Sequence, residues 1–150
     1  MTVEVEVEDA AWAAALPDVE ALAQAAAQAA LAGATGAWEV IVLLADDAAV
    51  RDLNARFRGK DAATNVLSFP AAPSAAPHLG DVALASGVCA REAAAQGKPL
   101  AHHLQHLVVH GVLHLLSFDH ETDVEAEEME ALERTVLAGL GVPDPYRAAP

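Results

Sequence analysis

The segment VVHGVLHLLSFDH, residues 108–120, constrains this chain more than any other. His110 and His114 are four residues apart, so on a helix they stand one above the other on the same face. His120 follows six residues later, and a straight helix would carry it off that face. The chain must therefore leave the helix about one turn after His114 and bend back. Two imidazoles from a rigid helix and a third from the turn behind it can occupy three corners of a tetrahedron. The fourth corner stays open, which is the arrangement of a catalytic zinc. An open zinc site binds water, lowers its pKa and aims it at an electrophile.

The flanking sequence supports one bound Zn2+. From Pro99 to about Leu116 apolar residues occupy nearly every side of a predicted helix, including Leu104, Leu107, Val108, Val112 and Leu113. A helix that is hydrophobic all round lies in the middle of a fold. Buried imidazoles need partners, and a metal supplies one. His106 continues the stripe through 110 and 114 and is expected as a hydrogen-bonding partner behind the ligands. His102 and His103 open the helix and are expected in solvent. Asp119 either orients an imidazole or the metal's water, or simply caps the turn. A structural zinc is closed by four protein ligands, commonly including Cys. The single cysteine, Cys89, is remote in sequence, so an open site is favoured. Cys89 itself reads as a small buried hydrophobe, and one cysteine cannot build a disulfide framework.

The spacing H-x3-H-x5-H matches that of metzincin-type zinc proteases, which carry Glu directly after the first His as general base. Here that position is Gly111, so the metal reading survives and the peptidase reading weakens. The same pattern places Gly three residues after the second His, where this chain has Ser117. A positive φ at Ser117 would carry strain on the order of 1 kcal/mol.

Elsewhere, VEVEVE (3–8) alternates strictly and predicts a half-buried strand. Residues 18–32 predict a helix begun by Asp18 and stopped by Gly33. WEVIVLLA (38–45) is a continuous apolar run, as expected of a central strand. Asp46 or Asp47 then caps a helix with Val50, Leu53 and Phe57 on its inner stripe, ending near Gly59. NVLSF (65–69) and DVALA (81–85) predict strands. The Pro- and Ala-rich PAAPSAAPHLG between them predicts a mobile rim loop. Thr64, Asn65 and Ser68 either line a groove or serve only strand pairing. Residues 86–96 predict a short helix closed by Gly97. Thr122 and Glu125 form a capping box for a last helix whose inner face is Met129, Leu132, Val136 and Leu140 and whose outer face is acidic. The expected class is α+β: a small mixed four-stranded sheet covered by about five helices, in one domain over residues 1–150.

Charge restricts the partners. A net charge of −14 opposes general nucleic-acid affinity. Yet four of the eight cationic residues, Arg51, Arg56, Arg58 and Lys60, share one short stretch. That patch either grips a few phosphates or complements a helix C-terminus. No stretch is long and apolar enough for a membrane span, and the N-terminus lacks a leader's basic and apolar regions, so the cytoplasm is expected.

HGVLHLLSFDH, together with LNARFRGKDAATNVLSFP, LGDVALA and the continuation HETDVEAEEMEALE, resembles the YbeY family of bacterial endoribonucleases. The resemblance runs from about Asp47 to Leu140 in the same order. The departures are Ser117 and Phe118, where Gly and Tyr are common. It implies a zinc-dependent, single-strand-specific RNase acting in maturation of the 3′ end of 16S rRNA and in ribosome quality control, with a metzincin-like zinc helix in an α+β fold. By motif match, His110, His114 and His120 would bind zinc, and Arg58 would be the functional arginine beside the cleft. Apart from the resemblance, Asp119 is a second candidate catalytic group, with His106 or the RNA's own phosphate as other acceptors of the proton. Single-stranded rRNA is the implied partner, delivered by small-subunit ribosomal proteins or a ribosome-assembly GTPase. Two alternatives stay open: a zinc hydrolase of another substrate class, peptidase-like, and a non-catalytic small-subunit assembly factor with a structural zinc. The general base, the choice between water and a 2′-hydroxyl as nucleophile, the cleavage site and the oligomeric state are not legible in these residues.

Overall fold

A computed structural model describes residues 2–147. The alternating start of the chain forms strand β1 (Thr2–Val7), paired in parallel with β2 (Glu39–Ala45). Strand β3 (Val66–Pro70) lies at the far edge, antiparallel to β4 (His78–Ala85), which is parallel to β2. The sheet order is β1-β2-β4-β3. As its apolar run predicts, β2 is central, with Val40, Val42 and Leu44 buried on one face.

Among the described residues six α-helices surround the sheet, in keeping with the about five expected. The unforeseen one is α1 (Ala10–Ala15), a single alanine-rich stretch capped by Asp9, whose side chain accepts from the Ala11 N–H. Trp12 fixes it in place, being fully buried with its indole N–H donating to the Ala45 carbonyl at 2.9 Å. The next helix, α2 (Val19–Leu31), ends at Ala32 before Gly33, and the Asp18 side chain makes no capping bond. The third, α3 (Asp47–Arg58), starts on Asp46, which accepts from the Ala49 N–H at 2.7 Å, and stops at Gly59 with φ +69°. Last come α4 (Ser86–Gln96), α5 (Leu100–Leu115) and α6 (Asp123–Gly139).

The sheet separates two cores, because successive strand side chains point to opposite faces. Val82 and Leu84 of β4 join the large core with α2, α5 and α6, while Ala83 and Ala85 join a small one beneath Val50 of α3. The large core is built around α5, whose Leu104, Val108, Val109 and Val112 are inaccessible to solvent. The Pro- and Ala-rich segment is shorter as a loop than expected. Pro70 pairs with Gly80, and the Ala71 N–H donates to the Leu79 carbonyl, so backbone pairing turns most of it into a hairpin end around a 3-10 turn at Pro73–Ala75. Phe57 departs from its expected inner position. It is 64 % exposed, because the last turn of α3 meets only the edge strand, through an edge-on contact with Phe69 at 5.6 Å.

Candidate metal centre

The site starts where α5 crosses the sheet. A Cβ on Gly111 would lie 2.6 Å from Val82 Cγ1 and 3.2 Å from Ser68 Oγ, so only glycine permits this approach. The Ser68 hydroxyl donates to the Gly111 carbonyl at 2.9 Å, fastening the helix to edge strand β3. A peptidase-type glutamate at this position would have to enter the sheet.

The residues beside Gly111 point the other way. His110 and His114 meet with their Nε2 atoms 3.1 Å apart. After Leu116 the backbone forms a Schellman turn: the Ser117 N–H donates to the His114 carbonyl and the Phe118 N–H to the Leu113 carbonyl. Ser117 takes φ +76°, the left-handed value anticipated at this position. That reversal returns His120 to the helix, with its ring centroid 5.7 Å from His110 and 5.1 Å from His114. The Asp119 carboxylate accepts from the His120 N–H at 2.7 Å, so it braces the turn that presents the third imidazole.

One ligand atom from each of the three histidines lies within 4.8 Å of the other two, and the cluster could hold a metal ion. The donor chemistry fits. The separation of the two Nε2 atoms is within a few tenths of an ångström of the roughly 3.3 Å expected for two imidazoles on a tetrahedral zinc-sized ion. Burial, followed by the neighbouring His110 and His120, holds His114 below its ordinary range and so in the neutral form that binds metal. For His110 the tautomer is set from behind. Its Nδ1 lies 2.5 Å from Glu133 Oε1, and because a carboxylate only accepts, Nδ1 carries the proton and Nε2 is bare toward the cluster.

Glu133 escaped the sequence reading, which placed the acidic residues of α6 in solvent. It has no exposed surface. Burial pushes its carboxyl up, but hydrogen bonds from His106, His110 and Tyr146 outweigh that and hold it at about 2. The Tyr146 hydroxyl donates to Oε2, and His106 Nε2 lies 3.3 Å from the same atom. His106 thus has the supporting role its place on the stripe predicts. A signal for Glu133 was present: it falls four residues from both Met129 and Leu137, which are buried on the inner face of α6. His103 is a second correction. It is 4 % exposed rather than solvated, because α4 packs Glu92 against it, with Nε2 2.9 Å from Glu92 Oε1. Cys89 is a buried hydrophobe as expected, its thiol pushed up to about 12 chiefly by burial.

Arg58 comes to the same place from α3. One terminal nitrogen donates to the Ser68 carbonyl at 2.8 Å, and Arg58, Val66, Ser68, Pro70 and His114 line one cavity of about 190 Å³. Ser68 therefore borders the groove, whereas the Asn65 side chain is engaged by Glu92. Among the described residues no helix is long and apolar enough to cross a membrane.

Three imidazoles that could hold a metal ion, two from α5 and one from beyond the Schellman turn, lie beside the cavity that Arg58 lines and mark a small α+β protein of the hydrolase type. The family model described as "Endoribonuclease YbeY" matches residues 4–141, and the chain belongs to that family. A relative from Dinoroseobacter shibae is 51 % identical over 165 residues, covering 97 % of this chain and 90 % of its own. One from Azorhizobium caulinodans is 55 % identical over 155 residues, covering 97 % and 96 %. Both bear the name Endoribonuclease YbeY. A solution structure of a Thermotoga maritima protein shares the fold, with a TM-score of 0.58 at 20 % identity over 97 % of this chain and 99 % of that one.

Proposed function

We propose that residues 1–150 form one zinc-dependent endoribonuclease domain that cleaves single-stranded RNA in the cytoplasm, in maturation of the 16S rRNA 3′ end and in ribosome quality control. The observation that carries this reading is the shared cavity of His114 and Arg58. It brings one imidazole of the proposed metal-ligand set and a guanidinium to the same small volume. The relatives' name supports the same chemistry.

In this reading His110, His114 and His120 hold one zinc ion, which supplies Lewis-acid stabilisation of charge at the reacting phosphorus. Glu133 keeps the proton of His110 on Nδ1. Arg58 uses the donors not engaged by Ser68 to clamp non-bridging phosphate oxygens, which a planar guanidinium fork matches in pairs. Charge that builds there in the transition state is stabilised by a donor already in position. Asp119 acts by fixing the turn of His120. The edge strand β3 offers backbone groups along the cleft, so the RNA runs beside it. The acidic remainder of the surface opposes loose RNA binding, and small-subunit ribosomal proteins or an assembly GTPase deliver the substrate.

The crowding at Gly111 disfavours the peptidase alternative, since it leaves no place for the base. Zinc-loaded protein incubated with casein and with single-stranded RNA separates the two; RNA cleavage alone is expected, and casein cleavage alone refutes the nuclease. The assembly-factor alternative is tested by Arg58→Ala. The expected result is a loss of RNA cleavage on the order of 100-fold, as when a preorganised transition-state donor is removed, with zinc content retained. Undiminished rRNA processing in cells would assign a scaffold role instead.

A further inference from the structure

We propose that the recess walled by Phe57 and Phe69 is a stacking subsite for one nucleobase of the RNA, directly beside the phosphate clamped by Arg58; this rests on the endoribonuclease reading above. The recess is a cavity of about 540 Å³ lined by Phe57, Phe69 and Leu53 and, at its polar rim, by His78 and Asp81. It shares Arg58, Ser68 and Pro70 with the smaller cavity that reaches His114. The two cavities thus meet at the guanidinium, so a strand with one phosphate there has an adjacent nucleotide within reach of the recess.

The chemistry of the walls selects the occupant. Phe57 leaves 64 % of its surface open at the end of a helix whose apolar stripe would otherwise be covered. A lone exposed apolar side chain is ordinary, but this one forms an aromatic wall with Phe69 at 5.6 Å and has the Arg56 guanidinium 5.6 Å from its ring centroid. Lys60 follows two residues beyond Arg58, and among the described residues neither forms an ion pair with a carboxylate. An open aromatic face flanked by cations suits a flat base on a phosphate backbone, because stacking works on any base and the cations follow the strand. An apolar partner protein would leave Arg58 and Lys60 without a counterpart, whereas Arg56 already pairs with Asp52 at 3.4 Å.

The test uses zinc-loaded parent, Phe57→Ala and Phe57→Trp with a short single-stranded RNA, and the same RNA carrying one abasic nucleotide moved position by position past the cleavage site. Phe57→Ala is expected to raise KM about 5- to 160-fold, the range of a lost base–aromatic stack, with zinc content and thermal midpoint unchanged. Phe57→Trp is expected to restore the parent KM. At one position next to the cut, removal of the base should cost the parent the same factor and cost Phe57→Ala nothing further. A parent that cleaves RNA, with a KM unmoved by Phe57→Ala or with abasic losses equal in both proteins, overturns the subsite alone. A zinc-loaded parent that leaves RNA intact overturns the endoribonuclease reading and the subsite with it.

Discussion

Two histidines of α5, seven residues apart, each face a glutamate from a neighbouring helix: His103 meets Glu92 of α4 and His110 meets Glu133 of α6. In sequence the pairs look alike. Their remaining ring nitrogens differ. The His103 Nδ1 is buried without a partner, and burial lowers the affinity of that ring for a second proton. The His110 Nε2 instead faces His114 Nε2, with His120 close by. A histidine–carboxylate pair is therefore a structural tie when its second nitrogen looks into packed side chains. It can serve as one ligand of a metal ion when that nitrogen looks toward other free donors. What distinguishes the two is the turn after Leu116, which adds a third imidazole at one end of α5 and has no counterpart at the other.

The sharpest break of this contrast is His114→Ala. It should abolish stoichiometric zinc by elemental analysis, whereas His103→Ala should retain it. The stabilisation by zinc should vanish with it, about 2.7 kcal/mol at a free zinc concentration of 100 times Kd. Equal metal content in His114→Ala and parent would remove the centre. Next in size, Glu133→Gln should weaken zinc binding about 10- to 100-fold, the usual cost of losing a carboxylate behind a metal-binding imidazole. Chelator competition reads this directly, and Glu92→Gln should leave the affinity at the parent value. If both glutamine variants bind zinc equally well, the two pairs are not different in kind.

A smaller effect is expected where α5 touches the sheet. Gly111→Ala forces a methyl against Val82 and Ser68 and should cost about 1–3 kcal/mol in urea unfolding, as overpacked cores do. Gly139→Ala, with nothing within 4 Å of the added carbon, should cost nothing. The smallest effect belongs to the turn itself. Ser117→Gly relieves a positive φ and should raise stability by at most about 1 kcal/mol, with zinc affinity unchanged or slightly improved. A loss of stability there would mean the Ser117 side chain contributes a contact that outweighs its backbone.

Local patterns were legible because they depend on short-range rules. The alternation of residues 3–8, the apolar run of β2, the caps at Asp46 and Gly59 and the Thr122 start of α6 all follow from side-chain period and terminal hydrogen bonding. Phe57 was placed on the inner stripe of α3, and Glu133 was not singled out from the acidic residues of α6, for one shared reason. Periodicity shows which residues share a face, but not how far the neighbouring element extends beneath it. Helix α3 overhangs the edge strand, so an apolar residue is left open. Helix α6 meets two histidines and a tyrosine, so a carboxylate is taken inside.

The order of residues by itself determined the three imidazoles, the helix that carries two of them and the need for a reversal before the third, since spacing and backbone sterics suffice for these. Only the tertiary structure decided that Glu133 stands behind His110, that Gly111 is pressed against the sheet and that Arg58 enters the cavity of His114. Those contacts join α3, α5, α6 and β3 across long stretches of chain. They are fixed by which faces can be buried together, a condition that no single segment contains.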